Sequence, residues 1–287
     1  MTDGSAPHEP GSTPRGAFPS ALGLLLRQTG YQITYFRRVP VALFFTLVLP
    51  LVMLVLFNAL FGDSEVRTDE GTWTAQQFFT GGLAAFTAVS ATFTNLANMV
   101  PIRRDEGVLK RWRTTPLPTW VHIGGFVLSS VLIALAGVVL MLAMGVVLYG
   151  LEIEPAKMPA ALVTFVVGVT SFAALGMAVA ALVRQAQSAS AVANAVILPL
   201  AFVSDVFLAI DDAPRWMEVV GGAFPLKPFV NAFQDCFNPL VDAPAFAWGS
   251  LAFVATWGVV GLLVALSRFS WEPSGAAPRG RRSRRSE

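Results

Sequence analysis

Apolar segments of about 20 residues recur along this chain of 287 residues, and each has the length that an α-helix needs to cross the ~30 Å hydrocarbon core of a membrane. Charged residues make up only 13% of the sequence, against about 25% in soluble domains. In lipid the backbone must satisfy its own hydrogen bonds, which favours helices over open sheets. The sequence therefore predicts an all-α integral membrane fold with six transmembrane helices. The predicted spans lie near 41–61, 78–100, 121–150, 159–183, 190–210 and 246–267.

Lysine and arginine are concentrated in alternate segments between these spans. Of the 20 in the chain, all but four lie before the first span, within 101–120, at Arg184 or from Arg268 onward. Because positively charged loops stay in the cytoplasm, both termini and the loop 101–120 are predicted to be cytoplasmic. We therefore expect a multi-pass protein of the cytoplasmic membrane.

The two ends of the chain differ in composition from its apolar middle. Residues 1–19 are rich in proline and predict a disordered cytoplasmic tail, whereas residues 269–287 form a basic cytoplasmic tail. The transmembrane domain is predicted at 20–268. The basic tail is interpreted as a topology signal that also contacts anionic lipid. Nucleic-acid binding is not expected, because the sequence has no room for a folded basic module.

The segment before the first span has the pattern of an amphipathic helix. Its apolar face contains Leu22, Leu26 and Phe36, and the opposite face contains Arg27 and Tyr31. This pattern predicts an interfacial helix that turns into the membrane at Pro40. A plain cytosolic extension is the alternative.

Prolines divide the segment between spans five and six into short pieces. Within it, the chain from Phe229 to Asn238 places aromatic side chains on one helical face and Asn231, Gln234 and Asp235 on the other. Two short extracellular re-entrant helices are predicted here, dipping into the outer leaflet. An ordinary interfacial loop is the alternative.

The motifs of several enzyme classes are missing from the sequence. Because it has no GxxxxGK[ST] phosphate loop, we do not expect the chain to hydrolyse ATP, and it has neither HExxH nor GxSxG. With one cysteine and two histidines, neither an intrachain disulfide nor a metal site is expected. The sequence thus indicates a protein that is not an enzyme.

Polar residues within the predicted spans are few and neutral. Buried carboxylates or histidines are typical of ion and proton carriers, so their scarcity favours an amphipathic or lipid-like cargo. Helix packing is the alternative explanation for most of these residues. The candidate residues for a translocation path are Asn58, Thr87, Thr94, Asn98 and Asn194.

The loop "IRRDEGVLKRWRTTPLPTW", from Ile102 to Trp120, contains more than a topology signal needs. Gly107 separates an acidic pair from "VLKRWR", which can form a short helix with Val108 and Trp112 on one side. A topology signal would require only the positive charges. The added apolar residues indicate docking into the groove of a partner.

A second distinctive stretch, at 198–239, reads "LPLAFVSDVFLAIDDAPRWMEVVGGAFPLKPFVNAFQDCFNP". With these two segments, the sequence over 20–268 resembles the permease subunits of type 2 ABC exporters of the daunorubicin-resistance kind. Those proteins export drugs or lipids. The resemblance includes Pro199, Phe207, Pro214 and Trp216 in the order typical of that family. Asp205 departs from it, because the family more often has glycine there.

The resemblance implies that the loop contains a coupling helix, which sits in a cleft of a separate ATP-binding subunit. By analogy, the residues at or near that contact are Arg103, Arg104, Glu106, Gly107, Leu109, Lys110, Arg111, Trp112, Arg113 and Pro116. The stretch at 198–239 implies an extracellular gate. Its candidate residues are Asp205, Phe207, Phe224, Phe229, Phe233 and Phe237.

The resemblance also implies the partners. We expect two ATP-binding subunits, which use ATP and Mg²⁺, and a second permease copy, as a homodimer or a heterodimer. Membrane lipid is a further partner, and this chain binds no cofactor of its own. The expected function is ATP-driven export of a hydrophobic or amphipathic drug, antibiotic or lipid-like compound. The alternatives are a membrane scaffold or assembly protein and a permease for polysaccharide or glycolipid export.

The loop hypothesis predicts that reversing the charge of Lys110, Arg111 and Arg113 abolishes co-purification with the ATP-binding subunit, because the docking face loses its complementarity. Replacing Trp112 with Ala has the same expected result, because it removes the apolar anchor. Membrane insertion should be intact in both variants. Unchanged complex formation would contradict the assignment of the coupling helix.

Overall fold

The computed structural model describes residues 20–62, 64–68, 71–108, 119–183, 185–207 and 214–269. The proposed tails therefore lie outside the described residues, except for Phe269. Nearly all described residues are helical. The helices are α1 (Ala21–Arg38), α2 (Pro40–Phe61), α3 (Ala75–Asp105), α4 (Thr119–Tyr149), α5 (Met158–Leu182), α6 (Ala186–Phe202), α7 (Arg215–Ala223), α8 (Leu226–Asp235) and α9 (Trp248–Arg268).

Helix α1 is a separate helix that ends before Pro40, as predicted. The Ser20 hydroxyl accepts a hydrogen bond from the Gly23 amide at 3.2 Å and caps its first turn. Thr29, Gln32 and Phe36 are buried, and Leu22 and Leu26 are exposed. The helix packs along α4. Its position along the membrane surface stays a prediction.

The segment between α2 and α3 corrects the prediction of an all-α fold. It forms an antiparallel hairpin of two short strands, β1 (Glu65–Thr68) and β2 (Gly71–Thr74). Trp73 of β2 is buried and makes an edge-to-face contact with Phe78 at the start of α3, with 5.7 Å between the ring centroids. Strands of four residues between two apolar spans leave no clear periodic signal, so the sequence indicated only a loop.

Five of the helices are long and apolar enough to cross a membrane, namely α2, α3, α4, α9 and the helical run Pro155–Leu182 that contains α5. These five match predicted spans to within about five residues. The remaining predicted span, the fifth in chain order at 190–210, is wrong in its boundaries, because α6 begins at Ala186 and ends at Phe202. Its 17 residues measure about 25 Å, less than the ~30 Å core. That α6 crosses the membrane stays a prediction.

Helix α3 lies at the centre of the bundle. In its most apolar part 67% of the residues are buried, against 17% in α2 and 28% in α9. Its buried side chains are mostly small, including Ala84, Ala85 and Ala88, which lets neighbouring helices approach its backbone closely. It contacts α2, α4, α5, α6 and α8.

Two π-helical turns adjust this packing. The turn Phe44–Val48 lies just before Pro50, whose ring would clash with the carbonyl four residues earlier in a regular helix. The turn Ser90–Thr94 in α3 brings the backbone of Phe93 against Gly176 of α5. A Cβ atom on Gly176 would lie 2.6 Å from the Phe93 carbonyl oxygen.

The close contact at Gly176 can be tested by substitution. The backbone of Phe93 cannot rotate away from an added Cβ atom, so we expect Gly176→Ala to lower the free energy of unfolding by about 1–3 kcal/mol. Gly30→Ala is the matched control, since no atom lies within 4 Å of a Cβ atom at Gly30 of α1, and helix propensity alone should raise stability there by up to ~1 kcal/mol. Thermal unfolding of the purified protein in detergent measures both. Equal midpoints for the two variants would contradict the close α3–α5 contact.

Candidate functional site

We call the side predicted to be cytoplasmic the inner side and the opposite one the outer side. At the inner end of α3, Arg104 points into the bundle, and its side chain is only 5% exposed. Its guanidinium donates hydrogen bonds to the carbonyl oxygens of Val183 at 2.6 Å and Ala180 at 3.4 Å. These carbonyls end α5, where a cation satisfies free acceptors and the helix dipole. Arg104 is therefore not on the surface that a partner could contact.

The neighbouring residues Arg103 and Asp105 contact two other segments. The Arg103 guanidinium lies 3.9 Å from the centroid of the Tyr35 ring of α1 and 3.6 Å from the Glu106 carboxylate. The Asp105 carboxylate accepts a hydrogen bond of 2.9 Å from the amide of Ala186, the first residue of α6. Sequence reasoning missed Asp105, because its partner is 81 residues away and no local pattern indicates the pairing.

Gly107 ends this inner region with a positive φ of 72°, a conformation that glycine adopts without strain. Glu106 is exposed and pairs only loosely with Arg103. The remaining candidate coupling residues, Leu109, Lys110, Arg111, Trp112, Arg113 and Pro116, lie outside the described residues. Their contact with an ATP-binding subunit stays a prediction.

The candidate path residues fall into three environments. Asn58 and Thr87 are buried and donate hydrogen bonds within their own helices, to Leu54 and Leu83. Thr94 and Asn98 are half-buried, four residues apart on α3, and their Oγ1 and Oδ1 atoms have no hydrogen-bond partner among the described residues. Asn194 is exposed. The five do not form one cluster.

Helix α6 has two contrasting faces. Ala189, Ala193, Ile197 and Ala201 are buried at a spacing of four residues. On one side of this buried stripe, Gln187, Ser190 and Asn194 are exposed at helical spacing. We call these three residues the polar face of α6. A span that contacts only lipid would not carry such a face, because unpaired polar groups are costly in hydrocarbon.

At the outer end of α6, Asp205 has the backbone of a helix-ending glycine. Its φ is 55°, in the left-handed region that Asp tolerates better than most residues. Its Oδ2 lies 3.0 Å from the Lys227 Nζ atom and accepts a hydrogen bond of 3.4 Å from Asn231. The departure from glycine therefore adds a charge contact between the turn after α6 and helix α8.

Gln234 connects the same turn to α3. Its side-chain amide donates to the carbonyl oxygens of Phe78 at 3.2 Å and of Asp205 at 3.4 Å. A Cβ atom on Gly82 would lie 2.8 Å from that amide nitrogen, so glycine permits the contact. Gln234, from the predicted polar side of this segment, is therefore buried. The two short helices α7 and α8 are present, and their depth in the membrane stays a prediction.

The candidate gate phenylalanines separate into two groups. Phe207 contacts Phe57 of α2, Phe86 of α3 and Phe202 of α6, with ring centroids 5.2–5.9 Å apart. We call these four rings the outer aromatic cluster.

The other candidates pack elsewhere. Phe229 and Phe233 of α8 and Phe237 just after it are buried in a row, and Phe229 occupies the space that Gly168 of α5 leaves free. Phe224 stacks on Trp257 of α9. These four anchor α7 and α8 to the bundle.

Lys157 is a buried residue that sequence reasoning did not select. Its ammonium lies 2.7 Å from the Glu154 carboxylate and donates to the Asn238 carbonyl at 2.9 Å, which holds the loop before α5 to the end of α8. Nearby, burial and then the Asp235 carboxylate raise the pKa of Cys236 to about 11. That thiol stays protonated at neutral pH. The described residues contain no cluster of metal-ligating side chains.

The sequence from residue 26 to residue 238 matches the family model described as ABC-2 type transporter. The chain belongs to the ABC-2 type transporter family. It is therefore a membrane-embedded, multi-pass permease subunit of an ABC transporter, a transport subunit rather than an enzyme. Membership implies association with an ABC ATP-binding subunit.

Two relatives of this ABC-2 permease cover most of the chain. The daunorubicin resistance ABC transporter permease protein DrrB1 of Streptomyces coeruleorubidus is 26% identical over 231 residues, 78% of each chain. The inner membrane transport permease YadH of Escherichia coli strain K12 is 23% identical over 230 residues, which cover 79% of this chain and 86% of the relative.

The geometry of Asp205 predicts how substitutions there affect stability. Asp205→Ala should lower the free energy of unfolding by about 1–3 kcal/mol, because it removes a charged hydrogen-bond network and strains the left-handed turn. Asp205→Gly relieves the strain and should cost less. Thermal unfolding in detergent, combined with Lys227→Met in a double-mutant cycle, should give a coupling energy of about 1 kcal/mol. Additive effects would contradict the ion pair.

Proposed function

We propose that this ABC-2 permease exports a hydrophobic or amphipathic compound, a drug, an antibiotic or a lipid-like molecule, across the cytoplasmic membrane. A separate subunit hydrolyses ATP with Mg²⁺, and the permease binds no cofactor. Two permease copies and two ATP-binding subunits make up the transporter. The observation that carries this proposal is the polar face of α6, which points away from the rest of the chain.

Burial of that face requires a second surface or an aqueous path. Gln187, Ser190 and Asn194 are exposed beside the stripe of mostly small residues that packs α6 against the rest of the bundle. A second permease copy that brings its own α6 to the same place would shield both polar faces from lipid and enclose a path between them. Thr94 and Asn98 of α3, whose oxygen atoms have no partner among the described residues, supply further neutral polar groups on a helix that contacts α6.

The chemistry of the helices favours an uncharged or amphipathic cargo. Between their ends, the five long helices and α6 contain no Asp, Glu, Lys or Arg, so an ion would meet no compensating charge. Hydroxyl and amide groups can instead orient a cargo whose apolar surface contacts Val, Leu and Phe side chains. The name of one relative refers to daunorubicin resistance, and this supports a drug as the cargo.

The outer aromatic cluster suits a gate above such a path. Phe207 follows the left-handed turn at Asp205 and contacts rings from α2, α3 and α6. Displacing the Phe207 side chain would break its ring contacts with α2, α3 and α6, and the outer ends of these three helices would then separate. Export then needs the inner ends to move when the ATP-binding subunits close, and the loop 101–120 is the segment proposed to receive that movement.

Inside-out vesicles containing the permease and its ATP-binding subunit should accumulate daunorubicin only when ATP is hydrolysed. We expect Asn194→Leu to lower the initial rate by about tenfold, the effect of losing ~1.4 kcal/mol, without weakening the complex. Thr256→Val is the matched control, because Thr256 is an exposed neutral residue of α9 that donates only to its own helix, to Ala252 at 2.8 Å.

Two results would contradict the proposal. Wild-type vesicles that move neither daunorubicin nor a fluorescent phospholipid would exclude the cargo class. Equal rates for Asn194→Leu and Thr256→Val would show that the polar face of α6 does not line the path.

A further inference from the structure

The inner ends of α5 and α6 are adjacent in sequence, and both are fixed to the end of α3. Only residues 183–185 separate the two helices. Arg104 donates to the last carbonyls of α5, and Asp105 accepts from the first amide of α6. Two consecutive residues of α3 therefore hold both sides of one tight connection. We call them the Arg104–Asp105 clamp.

The charges of the clamp match the two helix ends. The C-terminus of a helix carries partial negative charge and the N-terminus partial positive charge. Arg104 lies at the C-terminus of α5, and Asp105 lies at the N-terminus of α6. The side chains are also 3.9 Å from each other. Exchanging the two charges would place each beside a helix end of its own sign.

Arg104 is bound too tightly to serve as a surface residue. Its side chain is 5% exposed, against 34% for Asp105, and the low local dielectric strengthens the contacts that it makes. Arg103, one residue earlier, stacks on Tyr35 of α1, and only Val39 separates α1 from α2. The last residues of α3 before the loop thus contact α1, which leads to α2, and the connection between α5 and α6.

We propose that Arg104 and Asp105 are positioning residues, which make the inner ends of α5 and α6 move as one body with α3 when the loop 101–120 is displaced. This inference rests on the proposed function, because it assigns the route by which the loop moves the polar face of α6. Displacement at one point then reaches the path through α6 without any direct contact between α6 and the ATP-binding subunit. If the clamp had only a structural role, substitutions in it would lower the stability of the protein without changing how α6 moves relative to α3.

The test measures distances in the complete complex with its ATP-binding subunit. In a Cys236→Ala background, Ile102→Cys on α3 and Ser188→Cys on α6 receive spin labels, because both positions are exposed and Ser188 lies outside the polar face of α6. A second pair, Ile102→Cys with Ser267→Cys on α9, reports on a helix outside the clamp. We expect a non-hydrolysable ATP analogue to change the second distance and to leave the first one unchanged.

The clamp variants are Arg104→Gln and Asp105→Asn, with Arg104→Lys as the conservative version. Arg268→Gln is the matched control, because it removes one positive charge from the exposed inner end of α9. We expect the clamp variants to bind the ATP-binding subunit and hydrolyse ATP, but to show a nucleotide-dependent α3–α6 distance. The daunorubicin moved per ATP should fall by about tenfold, as expected from losing a hydrogen bond to a charged group. Arg104→Lys should restore part of it.

The outcomes separate this inference from the proposed function. If the wild-type complex transports but its α3–α6 distance changes with nucleotide, the clamp is overturned while the function stands. The clamp is also overturned if its variants transport as much per ATP as Arg268→Gln does. If the wild-type complex shows no ATP-dependent transport, the proposed function fails first. The wild-type distances decide the inference even where a clamp variant does not fold.

Discussion

Close contact with the backbone of α3 is the constraint on which the rest of this structure depends. Gly81 and Gly82 admit Gln234 and the turn after α6, and the π-helical turn at Ser90–Thr94 brings Phe93 against Gly176 of α5. Larger side chains at Gly81, Gly82 or Gly176 would push α8, the turn after α6 and α5 away from α3. Since lipid gives no hydrophobic driving force between helices, such van der Waals contact is the main attraction available. The central helix therefore determines where both candidate functional regions lie.

Within the five long helices and α6, charged residues occur only near the ends, and charged side chains have a structural role at both sides of the bundle. Arg104 and Asp105 cap two helices at the inner side, and Asp205 with Lys227 joins the turn after α6 to α8 at the outer side. A charge at the end of a span costs less than a charge at its centre, because water and lipid headgroups reach it there. The long middle of the bundle is left neutral, so that a cargo moving through it would meet polar groups without fixed charge.

The long helices can be predicted from the sequence, whereas the contacts between their ends cannot. Apolar length, prolines and basic residues identified the five long helices, because the solvent itself imposes their length and flanking charge. The hairpin at 65–74, the start of α6 at Ala186 and the burial of Gln234 could not be predicted. The two strands of the hairpin are too short to give a periodic signal, whereas the other two features depend on partners far away in the chain, namely Asp105 for Ala186 and Phe78 for Gln234. For the same reason the sequence does not indicate that Arg104 caps the end of α5.

The shortness of α6 has a consequence for the surrounding membrane. A helix of 17 residues is about 25 Å long, and a bilayer core of ~30 Å must become thinner wherever such a helix crosses it. Two copies with their α6 helices side by side would therefore sit in a local dimple of the bilayer. Lipid headgroups would approach the polar face there from both leaflets, which shortens the distance that an amphipathic molecule must travel away from water. Acyl-chain length would in this way become a determinant of transport rate alongside the protein's own side chains.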